Sequence, residues 1–476
     1  MTQDLVDQLY TDFHNTCRTY LSDETCNRLH GVYEFAREAH GDQTRKSGEP
    51  LITHPIAVAH HLAKLYLDES VLTGALLHDV AEDTHVTLSD IEARFGEHTR
   101  LLVDGVTHLK NVSQLEDIAH LFLAMSGDVR VVLIKLYDRL HNLQTLHIMP
   151  SEQRRRKAID TLRVYVPLAT KLGIWQLKTQ FESLILYETD PETYELICDG
   201  IDQRYREHHP YLQKTAHDLQ KLLREHDLPA GIRIKRRSPY RIYERMSNHK
   251  LDDEAFNGAF QIILLVDSLP ECYLALGHIH SCYPHTPGSL SDSIGNPRDV
   301  FYRSLNTTII VPGYDSAVNV GIRTYDFDRL ADIGILAQIQ FAAAHEERQP
   351  EDAPWLPELS RLYHESENPQ KFVESVFQDI LQKHLQCFTP RGDEFSLPRG
   401  ATVIDFAYLV HTQIGHECRG AIVNGKLVDS RYQLQDGDHV QIIRARHGGP
   451  YHEWLDETLE YVTTSRAKRK IREWFR

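Results

Sequence analysis

The chain reads as a multidomain α + α/β protein: an all-helical N-terminal part, a mixed α/β middle and a small β-grasp unit near the C-terminus. Three observations predict this. Residues from the N-terminus to about Tyr187 read as nearly continuous helix, broken only at "HGDQTRKSGEP" and "EDTHVTLSD". From Gly231 to about Ala344 the pattern changes, and "AFQIILLVDS", "NTTIIVPG" and "SAVNVGIRTY" read as strands set among helices. After Cys387 short strands and Gly-centred turns surround one helix, a ubiquitin-like β-grasp pattern. At 476 residues the chain is too long for one ordinary core, and about three domains is the natural expectation.

Taken in order, residues 1–190 form the helical domain. Residues 191–230, through "DQRYREHHPYLQKTAHDLQKLLREH", form a charged connector helix whose heptad-like spacing is short, favouring packing on the body over a coiled coil. Residues 231–345 form the α/β domain, and its "RIKRRSPYRIYERM" on its own reads as a solvated basic helix face. An acidic, Pro-containing linker and a helix occupy 346–385, the β-grasp unit 386–446, and a basic amphipathic helical tail, "SRAKRKIREWFR", 447–476.

Composition narrows the class. The seven cysteines form no CxxC pair and no even framework, so they read as reduced, buried thiols. The acidic, amphipathic start "MTQDLVDQLYTDFHN" is no signal peptide, and no apolar run approaches the length of a membrane span, which predicts a cytoplasmic protein. A formal charge of −16 argues against a general nucleic-acid coat.

The chemistry concentrates in "ALLHDVAEDT", "THP" and "IKLYDRLHN". From Val71 to Thr84 there is no Pro, and Leu72, Ala75, Leu76 and Val80 recur at helical spacing, so His78 and Glu82 share one face and Asp79 and Asp83 stack one turn apart. His54 precedes Pro55, a good first helical residue. The amphipathic "VRVVLIKLYDRLHNLQTL" holds Asp138 and Asn142 one turn apart. Three helices thus deliver His54, His78, Asp79 and Asp138 to one ion. A lone His or Asp on a helix is ordinarily a cap or a surface residue, and most of the 29 histidines must be that. Burying adjacent His and Asp on an apolar helix costs about 1–3 kcal/mol per unsatisfied group, which favours a bound partner. Two nitrogens and two carboxylates without thiolate suit Mn(II) or Fe(II), or Mg(II) or Zn(II), in an open site that polarises a phosphoryl oxygen. Glu82 and Asp83 are then placed to position water and move its proton.

"RKSGEPLITHP", "ALLHDVAEDT", "VLIKLYDRLHNLQTL" and "VYVPLATKLGIWQLK" resemble the hydrolase half of the Rel/SpoT homologue family, the long bifunctional enzymes that make and destroy the alarmones ppGpp and pppGpp. The likeness covers almost the whole chain. It implies an HD-type, Mn2+-dependent 3′-pyrophosphohydrolase yielding GDP or GTP, with His54, His78, Asp79 and Asp138 as ligands and Glu82 and Asp83 as the catalytic pair. It assigns nucleotide contacts to Arg45, Lys46, Ser47, Asn142 and Thr145. One departure is Tyr137, where the family usually has Ala, which reshapes the pocket wall.

The middle domain resembles the family's synthetase, which moves pyrophosphate from ATP to GDP or GTP, but lacks its chemistry. An ungapped comparison places Gly258 at the magnesium-binding Asp, Phe260 and Ile263 at two arginines, Asn319 at the second acid and Gly321 at a Gln. "VFYRSLNT" keeps Tyr302 but has Asn306 in place of His. Phosphoryl transfer between polyanions depends on metal and cationic charge, so losing both acids abolishes it. Lys235, Arg237, Arg241, Arg245, Arg298 and Tyr302 remain for a regulatory nucleotide, or the domain is a scaffold. "FAYLVHT" resembles the family's TGS domain, whose residue corresponding to His411 contacts the end of tRNA in ribosome-bound members; a structural helix-end His is the plainer reading. The leading expectation is an alarmone hydrolase with a silent synthetase. The alternatives are an HD phosphohydrolase of another nucleotide such as ppApp, or a non-catalytic alarmone- or tRNA-binding regulator.

Overall fold

The computed structural model describes residues 2–107, 115–246, 255–256, 258–297, 300–313, 317–337, 339, 355–381, 384–445 and 448–475. It divides into two compact units, one of residues 1–112 and 127–353, the other of 113–126 and 354–476.

The first unit opens with helices α1 (Thr2–Cys17), α2 (Asp23–His40), α3 (Thr53–Ala63), α4 (Glu69–Leu77), α5 (Val80–Asp83), α6 (Leu88–Phe95) and α7 (Glu97–Thr107). α8 (Leu115–Gly127) belongs to the second unit up to Ser126; the first resumes through α9 (Val129–Gln144), α10 (Ser151–Asp160), α11 (Val166–Lys171), α12 (Trp175–Thr189) and α13 (Pro191–Glu225). Local chemistry sets the starts. Asp68 accepts the Val71 amide at 3.0 Å ahead of α4, Asp128 accepts the Arg130 amide at 2.9 Å ahead of α9, and Thr87 with Asp90 forms a capping box on α6. α3 is central: Ile56, Val58, Ala59, Leu62 and Ala63 are all buried against α1, α4 and α9. Burial of each Ile, Val or Leu side chain among them contributes about 1.5–3 kcal/mol by leaving water. α4 presses closely on α9, because a Cβ at Gly74 would lie 2.9 Å from Ile134 Cδ1.

The expected single helix over Val71–Thr84 is broken. α4 ends at Leu77, Asp79 sits at φ −95°, ψ −9°, and only the single turn of α5 follows. That backbone region is sparsely used and recurs where side chains must be re-aimed.

A five-stranded sheet follows in the order β1-β2-β5-β4-β3, from β1 (Gly231–Arg236), β2 (Phe260–Val266), β3 (Ser291–Asp292), β4 (Leu305–Ile309) and β5 (Val318–Thr324). Only β2 and β5 pair in parallel, with Gln261 opposite Asn319. α13 is more than a connector: Leu212, Ala216, Leu219 and Leu223 join the sheet's core with Ile262, Leu264, Val320 and Ile322. The basic run "RIKRRSPYRIYERM" is not one helix. Ile232 and Ile234 alternate with cations in β1, and the helix Pro239–Tyr243 (α14) starts only at Pro239, behind an extended Ser238 at φ −69°, ψ 153°. Proline forces that break by disfavouring helical geometry in the residue before it.

In the second unit, β6 (His384–Phe388) pairs with β7 (Glu394–Pro398), and β10 (Val440–Arg444) with β8 (Cys418–Val423), which pairs with β9 (Lys426–Val428). A parallel bridge from Phe388 to His439 links the two ladders beneath the helix Val403–Val410, giving the β-grasp arrangement. The basic tail is built into this core through Ala467 and Ile471 of the helix Ser465–Phe475. α8 packs Phe122 edge-on against Phe372 and Phe377. All seven cysteines are free; five are buried, Cys198 is half-buried and Cys282 exposed. Among the described residues no helix is long and apolar enough to cross a membrane.

Candidate metal centre and neighbouring sites

His54, His78 and Asp138 converge from α3, the α4–α5 break and α9, each offering a donor atom within 4.8 Å of the others. All three are buried, at 4%, 1% and 6% exposure, so water does not satisfy them. Asp79 joins them: its carboxylate lies 3.2 Å from His78 Nε2 and 3.5 Å from His54 Nε2, while His54 Nε2 is 3.1 Å from Asp138 Oδ1. The helix break is what lets two adjacent side chains reach one point, since on a continuous helix they diverge by about a quarter turn.

The donor set fits a divalent cation. His78 Nδ1 lies 2.8 Å from the Ala75 carbonyl, which can only accept, so the ring proton sits on Nδ1 and Nε2 carries a lone pair. That Nε2 is buried without a hydrogen-bond partner and faces a carboxylate oxygen. Two acceptors face each other there, the arrangement a metal ion resolves.

Electrostatics around Asp138 point the same way. Burial acts to raise its pKa, but Lys135, whose Nζ is 3.0 Å from Oδ2, holds the carboxyl well below its ordinary range. Asn142, one turn on, donates to Asp138 Oδ1 at 2.5 Å. Arg45 is half-buried and reaches α9, with NH2 3.2 Å from Asn142 Oδ1 and NH1 3.2 Å from His141 Nδ1. Thr145 caps α9 and donates its hydroxyl to the His141 carbonyl at 3.1 Å. Lys46 and Ser47 are exposed in the Arg45–Glu49 turn, where Ser47 Oγ donates to Glu49 Oε1 at 3.0 Å. Glu82 is half-buried and Asp83 exposed on α5, whose end is tied down by Gln43 Nε2 donating to the Asp83 carbonyl at 2.5 Å.

His141 is a contact that sequence reasoning left out. Its Nδ1 lies 2.8 Å from His54 Nδ1, and burial, then His54 and Arg45, pushes its pKa down to about 3. Its signal was present in "DRLHN", three residues after Asp138, but nothing there marks it from any other histidine. Tyr137 is buried and stacks with His61 at a 6.2 Å centroid distance.

On the sheet, the polar side chains at positions aligned with the synthetase's chemistry bond to neighbours within the domain. Asn319 Oδ1 accepts from Thr308 Oγ1 at 2.8 Å, and Asn306 Oδ1 from Gln261 Nε2 at 3.1 Å and from Tyr302 at 3.4 Å. Gly258 lies at φ +70°, and a Cβ there would be 2.4 Å from Asn319 Nδ2; one at Gly321 would be 2.8 Å from Gln261 Nε2. Lys235 pairs with Asp332 at 3.4 Å and Arg241 with Glu244 at 3.1 Å. Arg237 is exposed, and partial desolvation, then Arg245 and Arg241, lowers its pKa. Arg298 lies outside the described residues. In the β-grasp unit His411 is exposed and its Nδ1 accepts the Gln413 amide at 3.1 Å, a helix cap.

Comparison with known proteins agrees with this layout. Residues 32–175 match the HD domain family, residues 232–346 the family described as a region found in RelA / SpoT proteins, and residues 385–444 the TGS domain. The guanosine-3′,5′-bis(diphosphate) 3′-pyrophosphohydrolase of Aquifex aeolicus is 36% identical over 453 residues, 94% of this chain and 64% of its own length. The chain thus carries the HD, RelA/SpoT-region and TGS domains and is similar to RelA/SpoT proteins over most of its length. Further RelA/SpoT relatives include the GTP pyrophosphokinase rsh of Brucella ovis, 35% identical over 93% of this chain and 60% of its own length, and the GTP pyrophosphokinase of Streptomyces coelicolor, 37% identical over 95% and 56%. The chain therefore spans about three-fifths of the curated RelA/SpoT proteins it matches. A solved structure described as a metazoan ortholog of SpoT that hydrolyzes ppGpp is 28% identical, covers 36% of this chain and 98% of its own, and superposes with a TM-score of 0.31.

Proposed function

We propose that this chain is a cytoplasmic, Mn2+-dependent 3′-pyrophosphohydrolase of (p)ppGpp, releasing pyrophosphate and leaving GDP or GTP. The observation that carries the reading is the buried His54, His78 and Asp138 cluster with Asp79 at its edge and an unpartnered His78 Nε2. The name of the Aquifex relative supports the substrate. His54 Nε2, His78 Nε2, Asp79 and Asp138 would hold the ion, and their two nitrogens and two carboxylates favour Mn(II) over a thiolate-loving metal. Such an ion polarises a phosphoryl oxygen and brings the pKa of water down to roughly 7. Glu82, with Asp83 beside it, takes the proton from the attacking water, and the 3′ P–O bond breaks with the proton returned to the ribose oxygen. Arg45 and Lys46 offset the phosphate charge, and Ser47, Asn142 and Thr145 supply polar contacts. Purified protein incubated with Mn(II) and a panel of 3′-pyrophosphorylated nucleotides, with products separated by anion exchange, tests this; a preference for ppApp over ppGpp would select the adenine alternative.

For the synthetase-like domain the favoured role is a regulatory phosphate site, on the observation that the exposed Arg237 has Arg241 and Arg245 as its electrostatic neighbours. Clustered cations repel one another and gain from a shared anion. Lys235 and Tyr302 line the same domain, with Arg298 assigned by sequence alone. Binding of guanine nucleotide that survives saturation of the hydrolase pocket, and is lost in Arg237→Ala, tests it; no such binding leaves a scaffold. On the family resemblance, exposed His411 is assigned to a tRNA or ribosome contact.

A further inference from the structure

The metal reading requires His54 to turn a lone pair, not a proton, toward the carboxylates, and the geometry shows what enforces this. His54 Nε2 is the atom facing Asp138 Oδ1 at 3.1 Å and Asp79 Oδ2 at 3.5 Å. Its other nitrogen, Nδ1, is 2.8 Å from His141 Nδ1. One of those two nitrogens donates. Arg45 NH1 decides which: it lies 3.2 Å from the same His141 Nδ1, and a guanidinium N–H only donates. His141 Nδ1 is therefore the acceptor, and His54 keeps its proton on Nδ1. When a cation arrives, only Nε2 is open to it.

Resting on the proposed metal hydrolase, we propose that His141 is a positioning residue of that centre. Its single Nδ1 lone pair fixes the tautomer and ring angle of His54 and at the same time seats Arg45 at the pocket wall. A metal-binding imidazole whose second nitrogen is held by an acceptor is a better-oriented ligand, and loss of that acceptor costs about 10–100-fold in metal affinity or activity. Here the same atom also ties a metal ligand to a candidate phosphate-binding arginine, so removing it alters two measurable quantities that simple loosening of the fold would not pair.

The test compares His141→Leu, which removes the acceptor, with His141→Asn, whose side-chain oxygen reaches the Nδ1 position from a similar distance along the chain. Mn2+ affinity is read by competition with a chelating indicator, KM for ppGpp by steady-state hydrolysis, and the melting temperature on metal-free protein. His141→Leu is expected to weaken Mn2+ binding about 10–100-fold and to raise KM, with the metal-free melting temperature near wild type; His141→Asn restores Mn2+ affinity to within about threefold. If the Leu variant fails to fold, His141→Ala, which also removes the acceptor, replaces it with the same expectations. His78→Ala separates the two levels. If His78→Ala binds Mn2+ as tightly as wild type, the metal site itself is misassigned. If His78→Ala loses the metal but His141→Leu keeps wild-type affinity and KM, or Asn restores nothing, the role of His141 is overturned while the site stands.

Discussion

His78 Nε2 lies 3.2 Å from Asp79 Oδ1, a convergence of sequence neighbours that an unbroken helix would forbid. The chain leaves α4 at Leu77 and re-enters a single helical turn at Val80, and the dipeptide between them supplies two of the four proposed ligands. Replacing either by Ala should remove bound metal and activity together. Metal analysis of His78→Ala and Asp79→Ala after dialysis against Mn(II) checks this, and a variant with full Mn-dependent turnover would rule out the ligand assignment.

Glu82 stands on α5, one turn past His78, and is proposed to move the proton of the attacking water. Glu82→Gln is expected to lower kcat by about 10²–10⁴ while metal content stays near wild type. Loss of the metal in that variant would make Glu82 a ligand instead.

No pyrophosphate transfer from ATP to GDP is expected. Asn319 is engaged with Thr308, and a Cβ at Gly258 collides with Asn319, so neither position presents an acid to magnesium. Radiolabelled ATP incubated with GDP and Mg2+ should yield no guanosine tetraphosphate; product above the level of a boiled control would refute the silent synthetase.

Asp379, in the short helix Phe377–Leu381 ahead of β6, makes the second unit's stability depend on pH. Burial raises its pKa to about 6, with the Ser465 amide acting in the opposite sense. A carboxyl whose folded pKa exceeds its unfolded value contributes stability that is full below the unfolded pKa, near 4, and is lost as pH rises through about 6. The loss amounts to roughly 2–3 kcal/mol. Urea unfolding of the full chain at pH 5 and 7.5, followed by tryptophan fluorescence, should show about half of this loss, roughly 1–1.5 kcal/mol, and Asp379→Asn should flatten it.

Much of this architecture was legible because periodicity reports burial. The strands around Ile262, Thr307 and Val320 and the helix bearing Asp138 lie where the apolar spacing places them. The break at His78–Asp79 was not, because its cause is the convergence of side chains on one point, which propensity does not encode. Nor was the inclusion of α8 in the second unit, since Phe122 finds Phe372 and Phe377 some 250 residues later in the chain. The basic run at Arg233 misled for a local reason: Pro239 ends one element and begins another, while the charge pattern alone runs straight through. His141 escaped notice because a histidine that orients another looks, in sequence, like any other.

The most direct test of the central claim is single-turnover hydrolysis of ppGpp by metal-stripped protein, with and without added Mn(II). Release of one pyrophosphate and one GDP per turnover is expected only when Mn(II) is present, and none from His78→Ala. Equal turnover without the metal, or release of single phosphates in place of pyrophosphate, would contradict it.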